Sequence, residues 1–141
     1  ASLEAGAKQY FCGPESFTPD LGPIVGEAPE LRNYFVAAGL NSIGILTAGG
    51  VGKILAHWMA EGSPDVDVTG IAPDRFRPHQ ATEAYRAARA TEALGTLYRT
   101  HYPHRAFRTA RDVKRTPLHE RLRARGAHFR PVSDWECADW Y

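Results

Sequence analysis

Cysteine is scarce in this chain of 141 residues: Cys12 and Cys137 stand near opposite ends. Two distant thiols build neither a disulfide framework nor a zinc site, and both are expected to be free. No apolar run approaches the roughly 20 residues that a membrane span needs. The start, ASLEAGAKQ, lacks a basic-then-apolar signal pattern. Methionine occurs once, at Met59, so the chain is expected to be processed or cut from something longer. There is no G-x-G-x-x-G, no Gly-Lys-Ser/Thr closing a phosphate loop, no H-E-x-x-H and no G-x-S-x-G elbow. Internal repeats and low-complexity tracts are missing too. Basic residues are sparse in the first half: Lys8, Arg32 and Lys53 face eight Asp/Glu over residues 1–70, a balance of −5. Residues 71–141 hold fourteen Lys/Arg against eight Asp/Glu, a balance of +6. The split points to two regions of different history and allows a polyanion contact in the second. Length favours one domain, and 43% hydrophobic content is ordinary for a globular chain.

What is present centres on Asn33–Gly62. Tyr34-Phe35-Val36-Ala37-Ala38 is a continuous apolar run, the pattern of a strand covered on both faces. Val51, Ile54, Leu55, Trp58 and Met59 recur at helical spacing, with Lys53, His57 and Glu61 on the other side. Gly62 is placed to end that helix in a left-handed conformation. Between strand and helix lie Gly39, Gly44, Gly49, Gly50 and Gly52. Such glycines allow close backbone approach and leave amides free, so Gly49–Gly52 reads as a helix mouth that favours an electron-rich group. Close helix–strand packing with no ligand accounts for the glycines equally well.

Elsewhere, Ala7–Cys12 reads as a strand, Pro14–Pro23 as turns, and Ile24-Val25 as a short strand. Pro73-Asp74-Arg75-Phe76 forms a helical turn. Thr82–Tyr98 reads as a helix capped by Thr82 with Glu83 in its first turn. Arg99–Arg115 is irregular and basic. Thr116–Gly126 reads as a helix with Thr116 as N-cap, Pro117 at the first position and Gly126 as terminator. Ala127–Val132 is extended.

Candidate chemistry is thin. His57 is expected on a helix surface, and His101 and His104 in a solvated loop. Cys12 is expected to be buried and inert, and nothing pairs Glu15 with Asp20. Arginines interleaved with Tyr98, Tyr102 and Phe107 can bind nucleic acid. Solvated faces and salt bridges to Asp112 and Glu120 are the favoured account.

The longer motifs carry more. CGPESFTPD, GEAPELRNYFVAAGLNSIGI, AGGVG and LAHWMAEG resemble the end of the flavin domain in the sarcosine and dimethylglycine dehydrogenase family. The pyruvate dehydrogenase phosphatase regulatory subunit is similar to those enzymes. Residues 68–77 and the helix from Thr82 resemble the family's central segment. TPLHERLRARGAHFRPVSDWECADWY resembles the opening of its folate domain, related to the glycine-cleavage T-protein.

The resemblance implies an α/β (α+β) chain in three parts. Residues 1–70 would be the C-terminal part of a D-amino-acid-oxidase-like FAD domain, 71–115 a linker or central segment, and 116–141 the start of a T-protein-like domain. It implies FAD along Gly39, Leu40, Asn41, Ser42, Ile43, Gly44 and Ile45, with Gly49, Gly50 and Gly52 opening the helix aimed at the flavin. The parent would take a hydride from a small N-methylamino acid, sarcosine or dimethylglycine, leaving an iminium, and tetrahydrofolate would capture the one-carbon unit. An electron-transfer partner is implied, with no nucleic acid and no membrane. The location would be the cytoplasm in a bacterium and the mitochondrial matrix in a eukaryote. The isolated chain, lacking the Rossmann half, is expected to be inactive.

Departures are visible. Monomeric sarcosine oxidases carry a basic residue where Leu46 stands and a histidine near Ile43, so a carboxylate clamp must come from elsewhere or the substrate differs. Cys12 lies near, but offset from, their flavin-holding cysteine. A non-catalytic regulator and a basic nucleic-acid-binding module are the alternative readings.

Overall fold

A computed structural model describes Gly6, Gln9, Tyr10 and residues 12–141. Two short strands, β1 (Ile24–Glu27) and β2 (Phe35–Ala38), pair antiparallel with Val25 opposite Ala37. The strand expected at Tyr34–Ala38 is therefore present, but it is not doubly covered: Ala37 and Ala38 are exposed. With one partner strand and a connection over residues 28–34, a hairpin satisfies the backbone without a crossover helix. The strand expected over Ala7–Cys12 falls partly on Ala7, Lys8 and Phe11, outside the described residues. Gln9, Tyr10 and Cys12 are not in a strand.

Helix α1 spans Gly44–Glu61 and ends at Gly62, whose φ of 79° and amide bond to the Trp58 carbonyl at 2.8 Å make the expected left-handed cap. Its start lies well before the expected mouth. Gly49, Gly50 and Gly52 are inside the helix, so their amides belong to its hydrogen-bond ladder. Trp58 seats the helix on the hairpin, edge-on to Phe35 at 6.0 Å between ring centroids. The close fit requires Gly26, because a Cβ there would lie 2.7 Å from the Trp58 ring. Val51, Ile54, Leu55 and Trp58 are half-buried, whereas Met59 is exposed. Ile45 and Leu46 project from the first turn, fully and 84% exposed respectively.

Val25 is fully buried, and its amide donates to the Ile71 carbonyl at 2.8 Å, which draws the connector after α1 back onto the hairpin. There a 3₁₀ turn at Pro73–Arg75 fulfils the expected helical turn. Arg75 fastens it: the guanidinium donates to the Ile71, Ala72 and Gly22 carbonyls and grips both oxygens of Asp20 at 2.8 and 3.1 Å.

Helix α2 covers Glu83–Leu97, with Glu83 in its first turn as expected. Thr82 does occupy the N-cap position but makes no cap bond; its hydroxyl donates backward to the His79 carbonyl at 2.9 Å. The expected helix from Thr116 is shorter: α3 is His119–Arg123, with Leu118 rather than Thr116 at the N-cap position. Thr116 and Pro117 lie in the preceding turn, whose Thr116 carbonyl accepts from the His119 amide. Gly126 ends the turn at φ 85°, as expected.

The extended segment becomes β3 (His128–Val132), paired antiparallel with β4 (Trp135–Trp140). Ser133 and Asp134 connect them with φ of 47° and 65°, the two-residue turn whose twist suits a hairpin. Among the described residues no helix is long and apolar enough to cross a membrane.

Candidate functional site

The mouth of α1 is built by a turn that the chain holds in an unusual backbone conformation. Gly39, Asn41 and Ser42 all have positive φ, at 61°, 50° and 65°. A side chain at Gly39 would collide with Thr18, whose Cγ2 lies 2.5 Å from the Cβ position. Asparagine tolerates the left-handed region better than most residues, and here its side chain locks the turn as well. Asn41 is 1% exposed. Its Oδ1 accepts the Thr18 amide at 2.8 Å, and its Nδ2 donates to the Gly39 carbonyl at 2.6 Å and the Thr18 hydroxyl at 3.1 Å. That hydroxyl passes its own proton to the Gly22 carbonyl at 2.8 Å.

The locked turn fixes where the helix begins. Ile43 occupies the N-cap position without a side-chain cap, and the first helical bond runs from the Thr47 amide to the Ile43 carbonyl at 3.0 Å. Among the described residues nothing accepts from the amides of Gly44, Ile45 and Leu46. Three free donors at the positive end of a helix dipole favour a negative or electron-rich group. Glu15 comes to the rim, accepting the Ser42 hydroxyl at 2.6 Å, but it leaves the first-turn amides unengaged.

The expected site residues thus divide. Gly39–Ile45 do form one continuous turn and helix start. Gly49, Gly50 and Gly52 lie one to two turns further along α1, exposed, with no atom within 4 Å of the side-chain position at any of the three. Glu15 and Asp20 serve different partners, Ser42 and Arg75. Cys12 is free but exposed rather than buried, and Cys137 is also free. His101 and His104 are exposed loop residues as expected. Asp112 and Glu120 make the expected salt bridges, to Arg115 and Arg123.

Three carboxylates escaped the sequence reading. Glu92 is wrapped by the Arg108 and Thr109 amides, the Thr109 hydroxyl at 2.6 Å and Arg105 at 2.7 Å. Burial works to raise its pKa, but the Thr109, Arg108 and Arg105 hydrogen bonds outweigh it and hold the group at about 2. Glu136, 2% exposed, takes two bonds from Arg111, which hold its pKa below the usual carboxylate value despite burial. Asp134 accepts from Tyr85 at 2.7 Å and meets His79 at 2.8 Å, joining α2 to the terminal hairpin. Burial raises the Tyr85 pKa. The partners are 13 to 55 residues apart, and no local spacing pattern announces them.

Two family descriptions match. Residues 2–58 match "FAD dependent oxidoreductase", and residues 61–116 match "FAD dependent oxidoreductase central domain". The chain belongs to the FAD-dependent oxidoreductases, in the group that includes the sarcosine and dimethylglycine dehydrogenases. It is 48% identical to 4-methylaminobutanoate oxidase (formaldehyde-forming) of Paenarthrobacter nicotinovorans over 141 residues, all of this chain and 17% of that protein. Against human mitochondrial sarcosine dehydrogenase it is 41% identical over 140 residues, 98% of this chain and 15% of the relative. Against the mouse mitochondrial pyruvate dehydrogenase phosphatase regulatory subunit the figures are 40% over 128 residues, 91% and 15%. The chain therefore spans about one sixth of the length of these curated relatives.

Proposed function

We propose that this chain supplies the flavin-facing turn of an FAD-dependent enzyme that oxidises N-methylated amino acids. The observation that carries the reading is the set of free amides at Gly44, Ile45 and Leu46, held at a helix mouth by the Asn41–Thr18 lock. Gly39–Ile45 would border the isoalloxazine, and the three amides would donate toward its N1 and C2 carbonyl. When bound there, FAD supplies the acceptor for the hydride that leaves the carbon next to the amine nitrogen. The chain's own part is electrostatic: preset donors favour negative charge at that edge without reorganising. Gly49 and Gly52, with Ala48, share one exposed face of α1, and their lack of side-chain bulk would let the FAD-binding half approach closely.

Sarcosine, dimethylglycine and 4-methylaminobutanoate are the substrates named in the relatives, and we infer a small N-methylamino acid of this class. Leu46 and Ile43 offer no charge to a carboxylate, so its clamp would come from outside this turn. Residues 116–141 would open a T-protein-like domain in which tetrahydrofolate captures the one-carbon unit, and an electron-transfer partner would reoxidise the flavin.

The test is anaerobic addition of each of the three amines to the full-length protein with bound FAD. Bleaching of the oxidised flavin band by one of them supports the reading. Bound flavin that none of them bleaches would favour the regulatory alternative, for which the 40% identity to the phosphatase regulatory subunit speaks. Absence of flavin from the full-length protein would end the proposal.

A further inference from the structure

We propose that the cleft formed by residues 99–111 binds a small dianion, a dicarboxylate or a phosphate group. This goes beyond the flavin reading, since the cleft lies in the segment after α2 and uses none of the turn residues.

The cleft has a volume of about 560 Å³ and is walled by Arg99, Arg105, Arg108 and Arg111, with Tyr102 and Phe107 among them. No Asp or Glu lines it. Its backbone has no regular structure from Arg99 to Val113. A structureless stretch of that length is uncommon, and is usually either functional or a linker. This one is nonetheless held in shape. Glu92 binds the amides of Arg108 and Thr109 from beneath, and Arg89 donates to the Thr109 and Ala110 carbonyls at 2.9 and 3.1 Å. Phe107 lies against the Arg89 guanidinium, 4.5 Å from its ring centroid. Arg111 is tied to Glu136 and to the Phe129 carbonyl.

The same bonds sort the four arginines by charge. Arg105 is neutralised by Glu92 and Arg111 by Glu136. Among the described residues no carboxylate pairs with Arg99 or Arg108. Two fixed cations and two free ones therefore face one concave space, and the surplus is two positive charges. A guanidinium fork matches carboxylate or phosphate oxygens in pairs, and preset walls reduce the ordering cost of binding. A dianion matches the surplus; a monoanion leaves one arginine unsatisfied.

The experiment uses the full-length protein with its flavin. Inorganic phosphate and succinate are titrated separately by calorimetry at fixed ionic strength, with acetate as the monoanion. Saturable binding of phosphate or succinate, at least about tenfold tighter than acetate, is expected. Phosphate alone would point to a phosphorylated ligand, succinate alone to a dicarboxylate. The Arg99→Gln/Arg108→Gln double variant should weaken the bound probe about tenfold or more, while Arg32→Gln leaves it unchanged. Arginine-directed labelling of the wild type, read by mass spectrometry, should show Arg99 and Arg108 protected by the probe even if the double variant folds poorly. No saturable binding, affinity retained by a folded double variant, or binding without protection of these two arginines would overturn the proposal.

Discussion

Asn41 and Thr18, 23 residues apart, are bonded through both ends of the asparagine amide: Oδ1 takes the Thr18 backbone proton, and Nδ2 gives one to the Thr18 hydroxyl. The pair is buried, and it decides where α1 starts and hence which amides stand free. Asn41→Ala strips partners from the Thr18 amide and the Gly39 carbonyl and removes a residue suited to positive φ. A loss of about 2–4 kcal/mol is expected. Hydrogen exchange should accelerate first at the bonded amides of Thr18, Ile43 and Thr47, ahead of α2.

Glu92 gives an acid-sensitive hold on the segment after α2. A depressed carboxyl stabilises the fold above its unfolded pKa, near 4.5, and that stability is lost as pH falls through its folded value of about 2. The full contribution is on the order of 3 kcal/mol. Glu92→Gln should remove much of it at neutral pH and flatten the acid limb between about pH 4.5 and 2, measured by exchange protection of the Arg108 and Thr109 amides.

Arg111 and Glu136 form the matching hold on the terminal hairpin. Arg111→Ala leaves a carboxylate buried without its cation and should cost about 3 kcal/mol or more, whereas Glu136→Gln, which keeps an acceptor, should cost less. Because Arg111 depresses the Glu136 pKa, the wild-type hairpin should lose stability as pH falls below the usual glutamate value, and Arg111→Ala, already weaker at neutral pH, should lose less of it on acidification. Emission from Trp135 and Trp140, in a background with Trp58→Phe, reports it.

Much of this architecture was readable locally. Apolar runs marked β1 and β2, Pro73 and Thr82 marked a turn and a helix start, and Gly62 and Gly126 marked helix ends. What misled was the glycine content of α1. Gly49, Gly50 and Gly52 each disfavour a helix by about 1 kcal/mol relative to Ala, so by propensity they look like loop. The structure starts the helix earlier because Asn41 and Ser42 take the left-handed turn and Thr18 clamps it, a contact that spacing along the chain cannot show. The buried pairs of Glu92, Glu136 and Asp134 were invisible for the same reason. The charge asymmetry signalled arginines needing partners, and Asp112 and Glu120 were legible among those partners, whereas Glu92 and Glu136 were not.

The exposed glycine face of α1 gives a paired prediction. Gly49→Ala meets no atom within 4 Å in this chain, so it should raise α1 stability by roughly 0.5–1 kcal/mol if nothing approaches. If the FAD-binding half packs there, the same methyl group should lower flavin retention in the full-length protein. Flavin content per protein, read by absorbance, separates the two.

The most direct measurement is the flavin midpoint potential of the full-length protein with Gly44→Pro. Proline at this first helical position deletes one free amide. Leu40, 3.2 Å from the Cβ position, must give a few tenths of an ångström, and Ile43, at ψ 14°, must turn toward the extended conformation that a residue before proline adopts. An unchanged circular dichroism spectrum is therefore the control that the turn survives. The account predicts retained flavin with a potential lower by about 30 mV or more, the equivalent of one charge-assisted hydrogen bond to the reduced ring. Retained flavin at an unchanged potential would contradict it.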